Sequence, residues 1–188
     1  LNTDRIDIAH LHSYPLDVLR REGLIRALED ARQAGKIRAI AYSGENDALH
    51  HAMVTGRFDG YMASLNLCDQ RVIDEVLPGL AGKGYIAKRP LANAPWRFGE
   101  CPSDDEAAFY WPRWQALGLP DPGMPWGELA IRFAVWHADI SAAVVGIANP
   151  EHLREDIRWS EQGPLPDDLL AMVRDAFRRH DDGWIGVV

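Results

Sequence analysis

The chain predicts an α/β fold with about five parallel strands and flanking helices. Three observations carry that prediction. Short apolar runs of strand length recur along the sequence. Between them lie stretches with apolar residues at helical spacing. The stretch 144–156, VVGIANPEHLRED, hands an apolar run to a helix start through a glycine.

In order, residues 6–11 (IDIAHL) predict a buried strand that ends at His12 and Pro15. Residues 16–34 carry Leu19, Leu24, Ile25, Leu28 and Ala31 at helical spacing, and Gly35 stops that helix. Residues 37–42 (IRAIAY) read as a second strand, and 47–55 as a short helix closed by Gly56. A third strand is expected over 60–65 (GYMASL), and a helix over 70–80 ending near Gly82. Residues 85–88 form a short fourth strand closed by Arg89 and Pro90. Residues 91–123 are irregular and rich in Pro, Gly, Trp and acidic residues, with a helix within 104–117. A loop of that length is uncommon unless functional, as a lid or substrate loop. Its residues Trp96, Trp111 and Trp114 suit an apolar pocket wall or a cover for the sheet. A helix follows over 125–137, then a buried fifth strand over 141–145. Helices from Asn149 to about Trp159 and over 166–179 complete the chain.

Alternating strands and helices with short connections give a parallel sheet with right-handed crossovers. Five strands suit an open doubly wound sheet. The style of the units also suits a (β/α)8 barrel, which usually takes about 250 residues.

The chain has 188 residues with 47% hydrophobic content, enough for one domain spanning 1–188 with a sizeable core. The formal net charge of -8 argues against nucleic acid or an anionic membrane as partner, so an anionic ligand needs a local basic pocket. No apolar run reaches membrane-spanning length, and no signal peptide is visible. Cys68 and Cys101 have neither metal nor redox spacing and read as free thiols in a reducing cytoplasm. The sequence starts at Leu1 and enters a strand almost at once, which points to residues missing upstream.

Within 144–156, Gly146 breaks the strand, Asn149 suits the N-cap and Pro150 the first helical position. Free N–H groups at such a helix start form an anion site, most often used by phosphate. The same residues also suit an ordinary strand–turn–helix.

Several segments, in order, resemble the second half of an aldo-keto reductase, a (β/α)8-barrel oxidoreductase that uses NADPH. Residues 4–12, DRIDIAHLH, resemble the segment ending in the catalytic His of strand 4. GKIRAIAYS (35–43) resembles strand 5 with its cofactor Ser, and 58–66 resembles strand 6. GYIAKRPL (84–91) resembles strand 7, and 145–156 resembles strand 8 with the adenosine-phosphate loop. The implied fold is the C-terminal part of a (β/α)8 TIM barrel, apparently lacking the N-terminal strands. The implied activity is NAD(P)H-dependent reduction of aldehydes or ketones to alcohols, with NADPH expected and NADH possible.

The resemblance assigns His12 as the catalytic donor beside the substrate oxygen, where negative charge grows. Ser43 matches the residue that contacts the nicotinamide amide, although Gly44 stands where the family usually has Asn. Met62 replaces the strand-6 Gln and reads as core, while Asn66 matches a common Asn. Lys88 replaces the aromatic residue under the nicotinamide ring, and Lys88 with Arg89 is placed to reach pyrophosphate. Gly146 and Asn149 match the phosphate loop; His152, with Arg154 nearby, stands for the 2′-phosphate residue. Glu155 matches an adenine-side acid, and Asp156 replaces the usual Asn. The family's proton-donor Tyr and its Lys lie upstream of the strand-4 His, and residues 1–9 hold no match for them. These residues alone are therefore expected to be inactive on carbonyl substrates and to self-associate through open sheet edges.

Two other classes compete. His10 and His12, at i and i+2, face the same side of one strand and suit a metal-dependent hydrolase. A non-catalytic subunit that keeps the cofactor-binding half is favoured by the missing Tyr and Lys.

Overall fold

The computed structural model describes residues 3–137 and 139–188, so the chain's start at Leu1 lies outside the described residues. One parallel sheet organises them, with strands β1 (Ile6–His12), β2 (Ile37–Ser43), β3 (Gly60–Ser64), β4 (Gly84–Lys88) and β5 (Ala142–Val144). Their spatial order is the chain order, β1-β2-β3-β4-β5, with every neighbouring pair parallel. A doubly wound sheet reverses its strand order at a switch point. This sheet has no reversal, and a strictly sequential parallel order is that of an arc of a (β/α)8 barrel.

The helices largely follow the apolar spacing, with breaks that have local causes. The helix predicted over 16–34 is two pieces, α1 (Leu16–Leu19) and α2 (Gly23–Gln33). Glu22 sits between them at φ 56, a left-handed conformation that a continuous helix cannot contain. After β2 comes α3 (Asn46–Thr55). The helix predicted over 70–80 is only α4 (Arg71–Glu75), followed by a 3-10 turn over Leu77–Gly79 that contains Pro78. The segment 104–117 holds a 3-10 turn over Glu106–Phe109 and then α5 (Trp111–Leu117), with Pro112 in the first turn of the latter. The remaining helices are α6 (Trp126–Val135), α7 (Pro150–Ser160) and α8 (Asp167–His180).

The core lies around the three middle strands. Ile40, Tyr42, Tyr61, Ala63, Tyr85 and Ala87 are each at most 2% exposed, with Phe58 and Leu65 beside them. Tyr42, Phe58 and Tyr61 form a chain of tilted ring contacts, and α6 adds Leu129 and Phe133.

The outer strands correct two sequence expectations. β1 and β5 are apolar, as buried strands should be, yet Ile6 is 46%, Ile8 45% and Val144 44% exposed. Among the described residues each is an edge strand with a neighbour on one side only, so a run patterned for burial on both faces is left partly in solvent.

Candidate functional site

The candidate residues gather where the parallel strands end. Register places His12 of β1 beside Ser43 of β2, and Ser43 beside Met62 of β3. One step further along, Ser64 pairs with Lys88 of β4, and Lys88 with Val144 of β5. In open parallel sheets and barrels this end is where loops converge on ligands.

Between β4, β5, the loop after β4, α6 and α7 lies a cleft of about 1010 Å³. Six residues predicted from sequence line it together: Lys88, Arg89, Gly146, His152, Glu155 and Asp156. Trp96, Trp126 and Trp159 supply apolar wall. Trp159 lies so close to Gly127 that a Cβ there would come within 2.7 Å of its ring, so glycine makes this wall possible.

The loop after β4 is bent by unusual backbone. Arg89, Ala92, Asn93 and Ala94 all have φ between 49 and 58. Such values cost non-glycine residues energy and concentrate at functional sites. Arg89 Nη1 and Asn93 Nδ2 are both buried without an acceptor. The Tyr110 hydroxyl also lacks a partner of ordinary geometry, although Arg89 is close enough to oppose the burial that pushes this phenol up. Buried donors with no acceptor in the chain fit an anionic ligand such as a dinucleotide's phosphates.

Five predicted residues stand apart from the cleft lining. Asn149 caps α7 by accepting from Glu151 N at 3.0 Å. Arg154 points along the exposed face of α7 and pairs with Glu151. Asn66 is fully buried and builds a tight turn, with its Oδ1 accepting from Cys68 N at 2.9 Å. Ser43 is 1% exposed, and its hydroxyl is buried without a partner. His12 is exposed at the end of β1. Next to Ser43, Gly44 cannot carry the family's Asn, because a Cβ there would lie 2.7 Å from Tyr42 Cζ. Tyr42 is held in that place by donating to Tyr14 O at 3.0 Å.

His10 Nδ1 is buried without a partner, and burial and then the charge of His12 lower the pKa of His10. Among the described residues no three His, Cys, Asp or Glu side chains come together as a metal cluster. The His10–His12 pair thus has no third ligand to support a hydrolase reading.

Sequence reasoning missed Glu45. It is 4% exposed, and its Oε1 accepts from Ser64 N and Ser64 Oγ at 2.8 and 2.7 Å. Lys88 Nζ lies 3.2 Å from the same oxygen. The one available signal was an acidic residue two positions after a strand end. Asp69, in the turn after β3, was missed too; burial raises its carboxyl to about 6, with Arg71 opposing.

No family model matches the chain. It is 24% identical over 187 residues to a protein named pyridoxal 4-dehydrogenase from Microbacterium luteolum, covering 90% of this chain and 53% of that one. Among solved structures it matches the aldo-keto reductase AKR11C1 from Bacillus halodurans, in holo and apo forms, with a TM-score of 0.74 at 20% identity. That match covers 93% of this chain and 62% of the reductase. The chain thus spans about half the length of the curated relative, and less than two thirds of the solved one. No helix among the described residues is long and apolar enough to cross a membrane. A sequential five-stranded arc, a cleft at the strand ends and these two likenesses agree: the chain has the fold of the C-terminal part of an aldo-keto reductase (β/α)8 barrel.

Proposed function

We propose that residues 1–188 form a single domain, the cofactor-binding part of an NAD(P)H-dependent oxidoreductase that interconverts aldehydes or ketones and alcohols in the cytoplasm. The observation that supports this best is the cleft. It brings Lys88, Arg89, Gly146, His152, Glu155 and Asp156 around one space, with the buried donors of Arg89 and Asn93 lacking acceptors. When bound, a nicotinamide cofactor supplies or takes up the hydride. Arg89 and Asn93 hold the phosphates, and a Cβ-free Gly146 leaves the strand-to-helix turn open beside them. Trp96, Trp126 and Trp159 exclude water from the wall. His12, at the same end of the sheet, donates to the substrate oxygen where charge develops. Ser43 offers a buried hydroxyl for an amide.

His152 lines the cleft whereas Arg154 is turned to Glu151, so preference for NADPH over NADH rests on His152. The name of the pyridoxal dehydrogenase relative suggests a small aromatic aldehyde or its alcohol as substrate. A second reading, a non-catalytic cofactor-binding subunit, draws on the same cleft. Self-association through the β1 or β5 edge belongs to either reading.

Titrating NADPH and NADH while following tryptophan fluorescence tests the proposal, because three tryptophans line the cleft. Saturable quenching by NADPH, tighter than by NADH, is the expected result. Absence of binding by both nucleotides would overturn the cofactor reading, and equal affinity would remove the 2′-phosphate role of His152.

A further inference from the structure

The inner end of the cleft carries a charge pair whose two members differ in access. Lys88 is part of the cleft wall, while Glu45 stands behind it. Their side chains are 13% and 2% exposed. The pair is fixed on several sides. Register sets Lys88 beside Ser64, which donates twice to Glu45. Gly186 lies against Glu45, so close that a Cβ on it would come 2.8 Å from Glu45 Cβ. Asn46 ties that glycine down by donating to Gly186 O at 3.0 Å and accepting from Gly186 N at 2.7 Å. Lys88 is thereby paired with a carboxylate that is itself held in place.

Charge consequently changes along the cleft. At Lys88 the ammonium and the carboxylate cancel. Next to it, Arg89 has a buried N–H without an acceptor, whereas Arg97 is 3.8 Å from Asp105 and partly neutralised. A ligand suited to this layout has an anionic group at Arg89 and, beside Lys88, a group carrying no negative charge. A nicotinamide ring is neutral when reduced and cationic when oxidised. A lone ammonium next to it would repel the oxidised ring and leave the reduced ring almost unaffected. The carboxylate of Glu45 removes that penalty.

We propose that Glu45 sets the redox-state preference of the cleft, neutralising Lys88 so that the site accepts the cationic oxidised nicotinamide as well as the neutral reduced one. This rests on the nicotinamide-nucleotide reading above. Glu45 acts through Lys88 and is a positioning residue, not a catalytic one.

The test is the ratio of dissociation constants for NADP+ and NADPH, measured on the full chain by tryptophan quenching and calorimetry. Glu45→Gln leaves an uncompensated cation, and the ratio should rise on the order of tenfold, given unit charges a few ångströms apart in a partly screened site. Lys88→Met leaves an uncompensated carboxylate, and the ratio should fall. The double variant, neutral again, should return close to the wild-type ratio. The two single variants move it in opposite directions, so either one that folds is informative. A merely structural pair would weaken both nucleotides together, and an unmoved ratio in a folded variant would overturn the proposal. If the wild-type chain binds both nucleotides and the ratio stays fixed, only the role of Glu45 falls. If it binds neither, the cofactor reading falls first and takes this inference with it.

Discussion

Arg89 sets stability against the proposed ligand binding in one residue. Its φ of 56 is unfavourable for a side chain with a Cβ, and its Nη1 is buried without an acceptor. Both features cost folding free energy. Glycine would relieve the first and delete the second. Arg89→Gly is therefore expected to raise stability by about 1 kcal/mol while weakening NADPH binding at least tenfold, since a charged hydrogen bond to phosphate contributes about 1.5–3 kcal/mol. Urea unfolding and nucleotide titration on the same variant check both signs. A variant that loses stability and keeps its affinity would show that Arg89 is structural.

At the scale of elements, the turn from β3 into α4 carries its own pH dependence. Asp69 there is fully buried, and its carboxyl is pushed to about 6 from an ordinary 3.8, chiefly by burial. Its folded-state pKa lies above the unfolded one. The folded chain therefore holds the extra proton between these values, and the stability so gained is complete below about 3.8 and lost as pH rises through about 6. Two pH units correspond to about 3 kcal/mol. Asp69→Asn should flatten the stability-versus-pH curve between pH 4 and 6, measured by urea midpoints at fixed salt. An unchanged slope would mean that Arg71, 3.1 Å from Asp69 Oδ1, already holds the carboxylate ionised.

For the molecule as a whole, the edges carry a prediction about behaviour in solution. β1 offers an unpaired backbone edge with Ile6 and Ile8 half-exposed. Open strand edges pair with other chains, and a charge placed on them blocks the pairing. We expect the purified 188 residues to self-associate, and Ile8→Lys to shift them toward monomer, as read by light scattering or sedimentation. A wild-type monomer at high concentration would place the contact elsewhere or remove it.

The sequence by itself determined the alternation of strands and helices, the strand–glycine–helix turn at Gly146 and Asn149, and the likeness to a reductase barrel. These are local properties: a period of apolar residues, a cap, a proline at a helix start. It also named six residues that line the cleft, because residues at successive strand ends of a parallel sheet fall on one side of it. Tertiary structure alone decided the rest. The order of the strands, which separates a barrel arc from a doubly wound sheet, depends on pairing between segments far apart in sequence. The exposure of β1 and β5 follows from their place at the edges and not from their composition. Arg154 turns away from the cleft because Glu151 lies one helical turn before it. Glu45 and Lys88 meet across 43 positions of sequence only because β3 lies between their strands and Ser64 holds the carboxylate in place.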